Sequence, residues 1–117
     1  MRPKRRDAES LLPLTPAMFH VLIALADGER HGYAVIKEIA RRTDGEIRLS
    51  AGTLYALIRR FVDEGVIEES DARPDPALDD ERRRYYRLTV FGRDLAKAEA
   101  RRLEGLIVMA RAKHLLV

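Results

Sequence analysis

The 117-residue chain predicts a mostly α-helical fold with a small β-hairpin: a winged helix-turn-helix domain carrying one long C-terminal helix. Three observations lead to that class. Three segments of helical apolar spacing occur in the first two thirds of the chain, each with its own start and stop signals. Two short strand-like runs follow, separated by a loop rich in proline and acid. A last apolar stripe of helical period then runs to the C-terminus. The order is helix, helix, strand, helix, strand, loop, strand, helix, and a set this short has few other compact solutions.

Residues 1–10 are polar, with four Lys/Arg against two acids, and read as a basic disordered arm. The winged domain is assigned to 11–89 and the long helix to 90–117. Thr15-Pro16 opens the first helix, with threonine as N-cap and proline at the first position, where its missing N–H costs nothing. Phe19, Leu22, Ile23 and Ala26 then follow helical spacing, and Asp27-Gly28 ends the element. A second helix is expected from about Gly32 to Thr43, with Tyr33, Ile36, Ile39 and Ala40 on its inner face. Glu46 to Leu49 alternates polar and apolar and suits a short strand. Ser50 caps the third helix, whose buried stripe is Leu54, Leu57, Ile58 and Phe61 and whose stop is Gly65. Strands starting at Val66 and spanning Arg83 to Leu88 flank the loop Asp71 to Glu81. Thr89 caps a final helix continuing to about Leu116.

Composition excludes several functions. There is no cysteine, so disulfides, zinc-thiolate sites and a catalytic thiol are ruled out. The longest apolar run, Val21 to Ala26, is far short of the ~20 residues that span a bilayer. The basic N-terminus lacks the apolar segment of a secretion signal, so a cytoplasmic location and no membrane partner are expected. His20, His31 and His114 show no metal-ligand spacing, and neither a metal nor another cofactor is expected. No phosphate-cradling glycine motif, nucleophile elbow or isolated carboxylate pair appears, so the chain reads as a non-enzyme. Net charge is +3 and 35% of residues are charged, with the basic excess at the two ends. That balance raises the expectation of a polyanionic partner only slightly.

The third helix carries more. Opposite its buried stripe lie Gly52, Ala56, Arg59 and Asp63, flanked by Thr53, Tyr55 and Arg60. Such a face is small where backbone approaches DNA and then offers long donors for base edges or phosphates. Backbone N–H groups at Ser50, Gly52 and Thr53 add a phosphate seat. Arg59 is the first choice for a base or groove contact, Arg60 for backbone phosphate. Tyr55 reads as a phosphate donor, with packing at the core edge as the alternative; Asp63 is expected outside the groove. The same pattern also suits a solvated surface helix with two arginines.

Leu14-Thr15-Pro16, Asp27-Gly28-Glu29-Arg30-His31-Gly32-Tyr33, Gly52-Thr53-Leu54-Tyr55, Gly65-Val66-Ile67-Glu68 and Arg84 to Arg93 together resemble the PadR family of transcriptional regulators, in order and spacing. The single C-terminal helix is similar to that family's smaller subgroup. The resemblance implies a winged-helix homodimer, usually a repressor on a palindromic double-stranded DNA operator, often released by a small-molecule effector or a stress signal. Carried over as DNA-contacting are Ser50, Thr53, Tyr55 and the arginines after them. It implies a structural role for His31-Gly32-Tyr33, opening the second helix and packing Tyr33 inward. The acids Asp71, Asp75, Asp79, Asp80 and Glu81 depart from what a minor groove tolerates, so wing contacts are limited to Arg73, Arg82, Arg83 and Arg84. Some relatives hold flat aromatic drugs between tryptophans; this chain has none, and that mode is not carried over.

In the last helix Leu103, Leu106, Ile107, Ala110, His114 and Val117 share a face. A helix of this length outreaches so small a core, so its distal stripe is expected to pair with a second copy, with Phe19 and Ile23 of the first helix as the other candidate seam. The competing reading is a winged helix that docks a protein partner through its third helix, without sequence-specific DNA binding.

Overall fold

The computed structural model describes residues 8–70 and 84–117. Among them are four α-helices and three short strands: α1 (Pro16–Ala24), β1 (Arg30–His31), α2 (Gly32–Arg42), α3 (Ala51–Asp63), β2 (Ile67–Ser70), β3 (Tyr85–Leu88) and α4 (Val90–Ala112). The winged helix-turn-helix arrangement expected from the sequence is present. Residues 1–7 and the segment 71–83, with Arg73, Arg82, Arg83 and the acids between them, lie outside the described residues. The reading of 1–10 as a disordered arm is corrected at its end, because Ala8–Leu11 form a 3-10 turn packed against α4.

Helix starts follow the capping chemistry. Thr15, Ser50 and Thr89 each accept a backbone N–H three residues on, and His31 does the same through Nδ1. The stop expected at Gly65 also holds, and α2 ends in the same way. Gly65 takes the left-handed conformation, with Val66 N–H donating to Phe61 O and Gly65 N–H to Val62 O; Gly45, also left-handed, follows the left-handed Asp44 after α2.

The sheet is antiparallel in the order β1-β3-β2. Arg30 lies opposite Tyr86 and His31 opposite Tyr85, while Ile67 to Ser70 pair with Leu88 to Tyr85. This corrects the expected strand at Glu46–Leu49. That stretch alternates outward and inward, with Ile47 and Leu49 leaning on the core, but it has no ladder. Ile47 N–H is taken by Thr43 Oγ1, and the free edge of β3 is occupied by Arg30–His31 instead.

Val21, Leu22, Leu25, Val35, Ile39, Leu54, Ile58, Phe61, Val66, Ile67 and Leu95 form the core where the three helices, the sheet and the first half of α4 meet. α4 enters across the Val66 carbonyl at Gly92, where a methyl group would lie 2.9 Å from the Val66 carbonyl carbon. Only glycine lets the helix approach that closely. Among the described residues no helix is long and apolar enough to cross a membrane.

The inner face of α2 is also corrected. Gly32, Val35, Glu38 and Ile39 are buried, whereas Tyr33 points out and is 57% exposed. At the other end of the chain, α4 stops at Ala112 rather than near Leu116. His114 adopts φ +63, with Leu115 N–H donating to Ala110 O and His114 N–H to Arg111 O. His114 and Val117 therefore lie past the helix and out of its repeat.

Candidate nucleic-acid interface

α3 is held by its buried stripe and presents its opposite face without cover. Leu54, Ile58 and Phe61 are buried; Ser50, Gly52, Thr53, Tyr55, Ala56, Arg59, Arg60 and Asp63 are all exposed. The assignment of faces therefore matches the helical wheel.

At the N-terminus the hydrogen bonding is more committed than expected. Thr53 N–H donates to Ser50 Oγ at 3.1 Å, and the Ser50 hydroxyl donates to Thr53 Oγ1 at 3.0 Å. Thr53 N–H is therefore not available to a phosphate, which corrects part of the proposed seat. The N–H groups of Ala51 and Gly52 have no protein acceptor among the described residues, and the Thr53 hydroxyl keeps its own proton to donate. Gly52 faces open space: a methyl there would meet only Ser50 Oγ, at 4.0 Å. Internal crowding does not call for glycine at this position.

Further along, Arg59 makes no ion pair among the described residues, while Arg60 Nε stands 3.5 Å from Glu64 Oε1. Arg84, at the base of the wing, is held by Glu69 at 2.8 Å, which keeps its guanidinium on the sheet. Tyr55 takes the packing role left open for it while remaining partly exposed. It is 41% exposed, and its ring lies against Gly32, where a methyl group would sit 2.7 Å from Cζ. The ring thus locks the start of α2 to α3.

Two buried carboxylates escaped the sequence reading. Glu38 on α2 is 6% exposed and binds Arg41 at 2.8 Å, Arg42 at 2.9 Å and Arg30 at 3.5 Å. Burial pushes its pKa up, but the hydrogen bond from Arg41 and the charges of Arg30 and Arg42 outweigh that and hold it below the ordinary value. Glu99 on α4 is 1% exposed; it accepts from Leu14 N–H at 3.0 Å and from Arg102 at 2.5 and 3.1 Å. The Arg102 hydrogen bond leads, against opposing burial, in keeping this carboxyl below its usual range. Each acid looks like one more surface charge in the sequence, since its partners lie on neighbouring turns or, for Arg30 and Leu14, outside its own helix.

The assembly candidates divide between cover and exposure. Phe19, Ile23, Leu103 and Ala110 are half-buried, whereas Leu106 and Ile107 are 46% and 40% exposed. Val108 and Met109, outside the expected stripe, are exposed as well. A cavity of about 330 Å³ lies between α1 and α4, walled by Pro16, Phe19, His20, Glu99, Arg102 and Leu103 among others.

Comparison with known proteins adds three kinds of finding. The sequence model of the transcriptional regulator PadR-like family matches residues 21–98. An uncharacterized protein of Lysinibacillus sphaericus is 33% identical over 73 residues, covering 62% of this chain and 64% of that relative, so the chain spans a little under two thirds of its length. A transcriptional regulator from Clostridium thermocellum superposes with TM-score 0.67 at 23% identity, over 86% of this chain and 97% of its own, a likeness of fold. Bordetella bronchiseptica BpsR, whose DNA binding is regulated by 6-hydroxynicotinic acid, matches at 28% identity and TM-score 0.61, over 86% of this chain and 70% of its own.

Proposed function

This chain belongs to the PadR-like family of transcriptional regulators, and from that membership we propose that it binds double-stranded DNA sequence-specifically as a homodimer and represses transcription from a palindromic operator. The observation that carries the reading is the outer row of α3. Gly52 and Ala56 are small without any internal need, and Arg59 beyond them is exposed and unpaired among the described residues. An α-helix enters the major groove when its leading face is small, and a free guanidinium is the side chain best suited to guanine O6 and N7.

Roles follow from position. Ala51 and Gly52 N–H and the Thr53 hydroxyl seat a phosphate, Arg59 reads a base, and Arg60 contacts backbone; Arg84 reaches backbone only if it leaves Glu69. Tyr55 supports α3 from Gly32 and offers its hydroxyl to the same strand. The distal part of α4, with Leu106 and Ile107, forms the seam between copies, which places two recognition helices about 34 Å apart on successive major grooves. Release by a small aromatic or acidic effector suits the cavity between α1 and α4, where Arg102 and His20 stand beside Phe19 and Leu103. The experiment is selection of bound fragments from a random-sequence duplex pool by the purified protein. Enrichment of an inverted repeat with half-sites about one helical turn apart is expected; enrichment of no sequence contradicts the reading.

A further inference from the structure

Tyr33 lies one residue after Gly32, so the contact between Gly32 and the Tyr55 ring ties it directly to the start of the candidate recognition helix. Its own ring is 57% exposed, a cost for an aromatic residue that a neighbouring Val35 avoids by facing the core. Its phenol has no hydrogen-bond partner among the described residues. The Lys37 ammonium sits 5.3 Å from the ring centroid. Lys37 is exposed and, unlike Arg30, Arg41 and Arg42, has no carboxylate partner among the described residues. Glu38, next to it in sequence, is turned inward and occupied by those three arginines. Tyr33 and Lys37 are one helical turn apart on the same ridge of α2.

An outward phenol donor and an unneutralised ammonium, held together by ring and charge, make a phosphate-binding pair. We propose that Tyr33 and Lys37 form a second phosphate contact on α2, and that it sets the register of α3 on the duplex through the Gly32–Tyr55 lock. The proposal rests on the DNA-binding reading and extends it to a helix that reading leaves without a role. Lysine supplies the charge that displaces a counterion; tyrosine supplies a neutral donor that orients the phosphate oxygen. Neither reads a base, so the pair adds affinity without sequence preference.

The test uses the intact chain with Tyr33→Phe and Lys37→Gln, on a duplex selected by the unmodified protein and on an unselected mixed-sequence duplex. Both side chains are exposed, so both variants should unfold at the temperature of the parent. Lys37→Gln, which removes one contact from each copy of the dimer, should weaken binding to both duplexes by about 60-fold at 0.1 M salt and reduce the slope of log affinity against log salt by about 1.8. Tyr33→Phe should weaken both duplexes and leave that slope unchanged. An unchanged slope in Lys37→Gln, or a Tyr33→Phe variant indistinguishable from the parent, overturns the pair while leaving DNA binding intact. A parent protein that binds neither duplex overturns both readings together.

Discussion

Gly52 is informative because nothing inside the protein asks for it. With open space around its Cα, alanine fits and should raise helix stability by up to about 1 kcal/mol. If DNA backbone approaches at that point, Gly52→Ala should weaken operator binding while the thermal midpoint stays level or rises. A variant with undiminished binding would move the groove-facing row away from Gly52. Arg59→Ala should cost about 1–3 kcal/mol per half-site and relax preference at one base. Arg60→Ala should weaken all sequences alike; competition with base-substituted duplexes separates the two. The buried acids give a different kind of residue-level expectation. Because Arg102 holds the folded Glu99 carboxyl below its ordinary value of 4.5, the folded state binds fewer protons there than the unfolded chain. Its contribution is complete above about pH 4.5 and is lost as pH falls through the lower folded value. Glu99→Gln should therefore destabilise at pH 7 by about 1–3 kcal/mol, and the gap to the parent should narrow in denaturant titrations below pH 4.5. A gap independent of pH would mean that the charge on Glu99 adds nothing.

At the scale of elements, capping residues and apolar stripes made the four helices legible, along with the outer face of α3. Three features were not legible, each for a physical reason. Alternation at Glu46–Leu49 reports which side chains face the core, but it carries no information on whether a backbone partner is near. The strand that fills that edge, Arg30–His31, is too short to show any period. Tyr33 fits an apolar stripe by spacing, yet Gly32 is the residue that goes inward, because the Tyr55 ring needs its surface. The end of α4 was missed because a histidine, not a glycine, takes the left-handed position after it. What remains of α4 is 23 residues, about 35 Å, and its distal turns expose Leu106, Ile107, Val108 and Met109. Apolar surface left exposed on several sides of a helix is what the proposed seam between copies would cover. Ile107→Asp should yield a folded monomer with its helical signal kept and operator affinity lost, by sedimentation and circular dichroism. A variant still dimeric at micromolar concentration would move the seam towards Phe19 and Ile23.

At the scale of the whole molecule, about half of the cations among the described residues are already paired with a carboxylate. Arg30, Arg41 and Arg42 surround Glu38, Arg87 bridges Glu29 and Glu68, Arg84 pairs with Glu69 and Arg102 with Glu99. A net charge of +3 spread in this way creates little long-range field, so affinity for DNA rests on cations brought into register at the interface. Arg59 and Lys37 are exposed cations without a carboxylate partner among the described residues, and on the proposed reading a dimer would present each of them twice. The family and the winged fold were legible from five linked sequence segments, while the division between neutralised and available cations needed the packing of α1, α2 and the sheet. The most direct test of the central claim is the affinity of the intact protein for a selected operator duplex between 50 and 200 mM salt. With about 6–10 phosphates neutralised by the two copies, affinity should fall by roughly 10³–10⁵ across that range. A nearly flat response would contradict an interface built for DNA and favour a winged helix that docks a protein instead.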